Sequence, residues 1–163
     1  MDYNEREHIY EYDELEKVID IDNIPFDNLH EVLIGFTFNE LLTKSNLRKL
    51  NIDSETEAII RHYALQGKAF LEKIITKEEL FKERVSAWET HDELPKNSAP
   101  KYLVRLIIYF LYDEKSAQYD TYGPDLFLEA FFSSLLDLGS GYCSLFRHYM
   151  QENAESLKYT KED

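Results

Sequence analysis

The chain is poor in basic residues. Its 163 residues include 18 Lys and Arg against 32 Asp and Glu, a net charge of −14. A field of this sign repels nucleic acids and anionic membranes and attracts cationic proteins. The imbalance is concentrated at one end, because residues 1–31 hold eleven acidic and two basic side chains, a balance of −9. The charge therefore predicts a basic protein as partner.

Cysteine, glycine and proline are also scarce, and no apolar run is long. The single cysteine, Cys143, has no internal partner for a disulfide, which is typical of a reducing compartment. The longest strongly apolar stretch, 102–112, is interrupted by Arg105 and is too short to span a bilayer. The first residues lack the basic and apolar regions of a signal peptide. These absences predict a soluble, cytoplasmic protein.

Catalytic signatures are missing. The chain has no His-Glu-x-x-His motif, no glycine-rich phosphate loop and no Gly-x-Ser-x-Gly turn. Glu5 and His8 have the spacing of two metal ligands on one helical face, but a di-iron bundle needs a second such pair and two more glutamates. Nothing near Cys143 supplies the base that a nucleophilic thiol requires. We therefore expect no enzyme activity, no metal and no cofactor.

Helical patterns run through the whole chain. Thr76-x-x-Glu79 has the form of a capping box, and the segments from Pro100 and from Pro124 to Gly139 are apolar on nearly every side, which is typical of buried helices. We predict an all-α, single-domain bundle over residues 1–163, with six to seven helices and these two at its centre. Residues 32–38 are rich in strand formers, so helix or strand stays open there, and helix is preferred because no second strand pattern exists.

Two further helices have amphipathic patterns that predict their buried sides. In the first helix, about residues 4–20, the predicted inner residues are Ile9, Leu15, Val18 and Ile19. In the helix after Thr76, the predicted inner residues are Leu80, Val85 and Trp88.

The segment between the two apolar helices is the first candidate binding site, because tyrosines alternate there with carboxylates. Its candidate partner-binding residues are Tyr112, Asp113, Glu114, Tyr119, Asp120, Tyr122 and Asp125. Tyrosine provides a large contact area at interfaces, and the carboxylates can pair with Lys or Arg of a partner. The alternative is a solvated loop whose tyrosines fold back onto the bundle.

The acidic first helix is the second candidate binding surface. It carries Tyr10, Glu11, Tyr12, Asp13 and Glu14 in succession. The alternative is an ordinary solvated helix face.

In size, charge and helical character, the whole chain resembles the small acidic immunity proteins of bacterial toxin–immunity systems, such as those of contact-dependent growth inhibition. The resemblance rests on no motif and assigns no residue a role. It implies a one-to-one complex that neutralises a cognate toxin domain, and a nuclease fits best because its cleft must be basic to hold phosphates. The alternatives are a nucleic-acid mimic of the anti-restriction type, a helical enzyme of unrecognised type and a generic adaptor.

Overall fold

A computed structural model describes residues 2–155, and these residues fold entirely into helices and connecting turns. These described residues contain eight α-helices: α1 Tyr3–Glu16, α2 Phe26–Phe36, α3 Lys44–Lys49, α4 Ser54–Leu71, α5 Lys77–Glu93, α6 Ala99–Ile108, α7 Tyr119–Leu138 and α8 Tyr142–Glu152. A 3₁₀ turn spans Ile21–Asn23 and a π-helical turn spans Thr37–Leu41. The all-α prediction is confirmed, and the short α3 is an element that the pattern did not predict.

The helices form two groups around one continuous apolar core. Helix α1 packs against α7 and α8, while α6 packs against α4 and α5. Contacts between α6 and α7 join the two groups, and α2 adds contacts to α4 and α8. Within residues 2–155, no helix has both the length and the apolar character needed to cross a membrane.

The ambiguous segment 32–38 is helical. Val32 to Phe36 form the last turns of α2, and Leu33 and Phe36 are fully buried. At Thr37 the helix widens into the π turn, where the Thr37 hydroxyl donates a hydrogen bond to the Leu33 carbonyl oxygen at 2.8 Å. The β-branched and aromatic residues that suggest a strand serve here as core residues of a helix.

Two boundaries follow the predicted chemistry. Thr76 and Glu79 form the reciprocal hydrogen bonds of a capping box at the start of α5. Helix α7 ends at Leu138, and Gly139 follows it. Helix α7 also contains a kink at Gly123, whose φ of 75° is in the left-handed region that favours glycine.

The predicted inner side of α1 is wrong at two positions. Leu15 and Ile19 are buried as expected, but Ile9 and Val18 are exposed. The inner face of α1 instead consists of Glu7, Glu11, Tyr12 and Leu15. Apolar periodicity does not detect this face, because two of its four residues are carboxylates.

The predicted inner side of α5 is also wrong at two positions. Leu80 is buried, whereas Val85 and Trp88 are exposed, Trp88 by 39%. Helix α5 packs on α4 and α6 through a narrow strip that includes Leu80, Ala87 and His91. Small Ala87 lets the helices approach, and the larger apolar residues remain on the outer side.

A substitution at Gly67 tests the close contact between α4 and the residues after α6. A Cβ there would lie 2.5 Å from Phe110 Cδ2 and 3.2 Å from the Phe110 carbonyl oxygen. We expect Gly67→Ala to destabilise the fold by about 1–3 kcal/mol through overpacking, although alanine is favoured over glycine in helices by about 1 kcal/mol. Urea denaturation measures the change.

The matched control is Gly35→Ala in α2. Its Cβ would meet the hydroxyl of Tyr149 at 2.6 Å, the far end of a side chain that can swing away. This variant should therefore lose clearly less stability than Gly67→Ala. Equal stability of Gly67→Ala and the wild type would contradict the close contact.

Candidate functional site

Three residues of the first candidate site face the interior of the fold. The ring of Tyr112 lies under the Arg84 guanidinium, with Cζ 4.2 Å from the ring centroid. The Tyr119 hydroxyl donates a hydrogen bond to the Ile24 carbonyl oxygen, and its ring edge contacts Phe26 at 5.3 Å between centroids. These tyrosines tie the segment to α5 and to the start of α2.

Asp113 is the third inward residue. It is buried, and its Oδ2 accepts a hydrogen bond from the Ser116 backbone N–H at 3.4 Å. Burial alone would raise the pKa of this carboxyl, but the Ser116 hydrogen bonds and the charge of Lys77 outweigh it and lower the pKa. Asp113 therefore acts inside the protein as an ionised turn residue.

The other four residues of this segment are accessible, but they do not share one surface. Tyr122 is 57% exposed and stands alone at the kink of α7. Glu114 and Asp120 line a large cleft beside α2, whereas Asp125 lies near Tyr12 and Glu16 of α1. The fold thus divides the predicted cluster between two sides of the molecule.

The cleft beside α2 has a volume of ≈ 870 Å³ and walls of mixed charge. Its carboxylates include Asp27, Glu114 and Asp120, and burial together with the charges of Asp120 and Asp27 raises the pKa of Glu114. Lysines line the same cleft: Lys73, Lys77 and Lys115. Because both signs of charge are present, this cleft does not select a cationic partner.

His30 lies on the floor of that cleft. Burial lowers its pKa to about 3, so the imidazole is neutral at physiological pH. Its ring packs on Phe26 at 3.9 Å between centroids, and its Nε2 has no hydrogen-bond partner among the described residues.

The second candidate surface divides in the same way. Tyr10 and Asp13 are exposed, and Glu14 pairs with Lys17 at 2.7 Å. Glu11 and Tyr12 are buried instead.

Buried carboxylates dock α1 onto α8. Glu11, 2% exposed, accepts hydrogen bonds from the Tyr3 hydroxyl at 2.7 Å and from Nε of Arg147. Glu7, fully buried, accepts the Gly141 backbone N–H at 2.9 Å. Gly141 is the N-cap of α8 and provides no side-chain cap. Glu7 therefore caps α8 from another helix, where a carboxylate favours the positive end of the helix dipole.

This docking leaves an open groove between α1 and α7, which we call the acidic groove. It has a volume of ≈ 510 Å³. It is lined by His8, Ile9, Tyr12, Asp13, Glu16, Leu126, Glu129, Ala130 and Ser133. Ile9 is 47% exposed and Leu126 is 51% exposed, one on each wall. The groove thus combines accessible apolar side chains with carboxylates, and neither Lys nor Arg is among its described lining residues.

Like charges crowd around the groove. Burial, followed by the charges of Asp13, Asp22, Glu129 and Asp125, raises the pKa of Glu16. The pKa of Tyr12 is also raised, first by burial and then by the charges of Glu16, Glu129, Asp125 and Asp22. The carboxylates come from α1, the 3₁₀ turn and α7, so the fold gathers them. A cation entering the groove would relieve this repulsion.

Of the nine lining residues, only Tyr12 and Asp13 were among the sequence-based candidates. The seven others are His8, Ile9, Glu16, Leu126, Glu129, Ala130 and Ser133. The spacing of Leu126, Glu129, Ala130 and Ser133 does place them on one side of a helix. That spacing carries no sign of exposure, because Leu126 lies within an apolar segment that predicts burial.

The described residues offer no arrangement for metal or thiol chemistry. No group of three His, Cys, Asp or Glu side chains within 2–155 could hold a metal ion. Cys143 is fully buried, its Sγ donates to the Phe132 carbonyl oxygen at 3.2 Å, and burial raises the pKa of the thiol. A high pKa disfavours the thiolate that a nucleophile needs.

Comparison with protein-family models, with curated proteins and with solved structures finds no match for this chain.

Two isosteric substitutions distinguish the role of the buried Glu11 from that of the exposed Asp13 in α1. Glu11→Gln removes the charge partner of largely buried Arg147, so we expect a loss of about 3 kcal/mol in the free energy of unfolding. Asp13→Asn removes an exposed charge and should change stability by less than about 0.5 kcal/mol. Chemical denaturation measures both, and equal effects would contradict the internal role of Glu11.

Glu16 gives a prediction for pH dependence. Because its pKa in the folded protein is raised above the ordinary value of 4.5, folding favours its protonated form. That contribution to stability is present at pH below the unfolded-state pKa and is lost as the pH rises through the folded-state pKa. We therefore expect Glu16→Gln to match the wild type in acid and to be more stable at neutral pH, by less than about 1 kcal/mol because the site is exposed.

Urea denaturation at several pH values and at two salt concentrations measures this difference, which should shrink in high salt. The control is Glu14→Gln, which loses the pairing with Lys17 and should show no gain at neutral pH. A Glu16→Gln variant less stable than the wild type at neutral pH would contradict the crowding of carboxylates.

Proposed function

We propose that this protein is a cytoplasmic inhibitor of a cationic protein, an immunity protein that binds and neutralises a cognate toxin. The acidic groove carries the proposal, because it joins carboxylates to exposed apolar side chains in one depression that has no Lys or Arg among its described lining residues. The class of target that we infer is a nuclease, whose cleft must be basic to hold phosphates. The protein acts by binding, not by catalysis.

The charges and the apolar residues have different tasks in this proposal. The net charge of −14 steers a basic partner toward the protein and raises the association rate by about 10–1,000-fold at low salt. Asp13, Glu16 and Glu129 then pair with Lys or Arg of the target. Ile9 and Leu126 exclude water around these pairs and slow dissociation. The first effect depends strongly on salt, whereas the second does not.

The placement of the carboxylates favours an inhibitor over a nucleic-acid mimic. A mimic needs carboxylates spaced along an extended surface at roughly the phosphate repeat. Here those of α1, the 3₁₀ turn and α7 converge on one groove. Such convergence suits a compact cationic element of a protein.

The proposal predicts a basic toxin domain encoded beside this chain in its genome, and the test uses that domain in purified form. The groove variant combines Asp13→Asn, Glu16→Gln, Asp125→Asn and Glu129→Gln. We expect it to weaken toxin binding at least about 100-fold, because close charge pairs across interfaces couple by about 1.5–7 kcal/mol. Inhibition of the toxin should be lost in parallel, as measured by calorimetry and a nuclease assay.

The control variant neutralises four exposed acids elsewhere: Glu55, Glu78, Glu89 and Glu93, each changed to Gln. It has the same net charge as the groove variant and should still inhibit, with only a slower association. If both variants lose toxin binding equally, the groove acts only through its share of the net charge. Full inhibition by the groove variant would refute the assignment of the site.

A further inference from the structure

The acidic groove follows the axes of two helices. Its α1 wall includes Ile9, Asp13 and Glu16, and its α7 wall includes Leu126 and Glu129, with intervals of three and four residues. Side chains at these intervals lie above one another on a helix. With a rise of about 1.5 Å per residue, the groove extends for about two helical turns. Its shape is therefore a straight channel and not a round pocket.

Within residues 2–155, no helix covers one side of the α1–α7 pair. Helix α8 packs on both α1 and α7, and it meets α1 at Glu7 and Glu11. Ile9 and Asp13 follow these two residues by two positions, which is about 200° around a helix. They thus face nearly away from α8, and their exposure shows that no described element covers them. A further helix in the groove would complete a four-helix arrangement around this side of α7.

A helix suits these walls better than an extended segment does. An extended peptide must pair its backbone N–H and C=O groups with an open sheet edge or with side chains. The groove walls are α-helices, whose backbone groups are already bonded within each helix. An incoming helix satisfies its own backbone and needs the walls only for side-chain contacts.

The charge pattern of the groove specifies that helix further. Ile9 and Leu126 offer apolar contacts, one from each wall. Asp13, Glu16 and Glu129 place negative charge on both walls. The complementary surface is an apolar stripe with Lys or Arg on each side of it. An acidic or purely apolar helix would leave the groove carboxylates in contact with like charge or with hydrocarbon.

We infer that the acidic groove receives a basic amphipathic α-helix of the target, with its apolar stripe between α1 and α7 and its cations on the groove carboxylates. This inference rests on the proposed function, and it names the structural element by which the target is held. A target that presents its basic residues on a sheet or on loops would not fill the groove.

The test uses two synthetic peptides of about fourteen residues, four helical turns. Both peptides contain only Leu and Lys, and the two have the same composition. In the first, the helical peptide, leucines recur at intervals of three and four residues. In the second, Leu and Lys alternate strictly. We expect the first to bind at least about 10-fold more tightly by fluorescence anisotropy, because only its leucines can reach Ile9 and Leu126 together. Its helicity should also rise on binding, as measured by circular dichroism.

Three variants locate the binding. The apolar variant, Ile9→Ser with Leu126→Ser, should weaken binding of the helical peptide about 10-fold or more at any salt concentration, since it removes apolar contact. The rim variant, Glu16→Gln with Glu129→Gln, should weaken binding of the helical peptide mainly at low salt. The control, Phe81→Ser with Val85→Ser, alters exposed apolar residues of α5 and should bind within about twofold of the wild type. Melting curves verify that each variant is folded.

Several results would overturn the inference. These are no binding of the helical peptide, equal affinity for the two peptides, or an unchanged affinity of the apolar variant. If only the α5 control weakens binding of the helical peptide, the peptide binds on α5 instead of in the groove. If the groove variant loses toxin inhibition while the two peptides bind alike, the proposed function stands and the helix inference fails. If the helical peptide binds as expected but no cationic toxin is inhibited, the function fails and the helix-binding groove stands.

Discussion

The docking of α1 onto α8 through buried carboxylates sets the rotation of α1, and the candidate site depends on that rotation. Glu7 caps the N-terminus of α8 at Gly141, and Glu11 binds Arg147 and the Tyr3 hydroxyl. A buried carboxylate is costly unless it is hydrogen-bonded. Glu7 and Glu11 can form these hydrogen bonds in only one rotation of α1 about its axis, so other rotations are disfavoured. Once α1 has this rotation, the positions two residues later must face outward along α7.

The acidic groove follows from that arrangement together with α7. Tyr12 packs edge-on against Phe132 at 5.9 Å between ring centroids, which holds the two helices side by side. Ile9 and Leu126 then remain at the surface, although each belongs to a residue type that usually packs inside. Burial, together with the charges of neighbouring carboxylates, raises the pKa of Glu16 in this groove.

Much of the architecture could be predicted from residue patterns, but little of the site could. The helices, the capping box at Thr76 and the helix end before Gly139 depend on neighbours within four residues, so local sequence specifies them. Tyr112 and Tyr119 are different, because residues far away in the chain, Arg84 and Ile24, hold these two side chains against the fold. The Ile24 carbonyl that binds Tyr119 lies 95 residues away in the chain, beyond any local pattern.

The sequence by itself determined the all-α class, the strong negative charge and its concentration in the first fifth of the chain. The tertiary structure decided which of those charges serve the fold and which remain accessible at the surface. Glu11 and Asp13 are two residues apart and chemically alike, yet Glu11 is enclosed beside Arg147, 136 residues away, and Asp13 lines the groove. The physical reason is that burial of a charge depends on a partner across space, and helical periodicity carries no information about that partner.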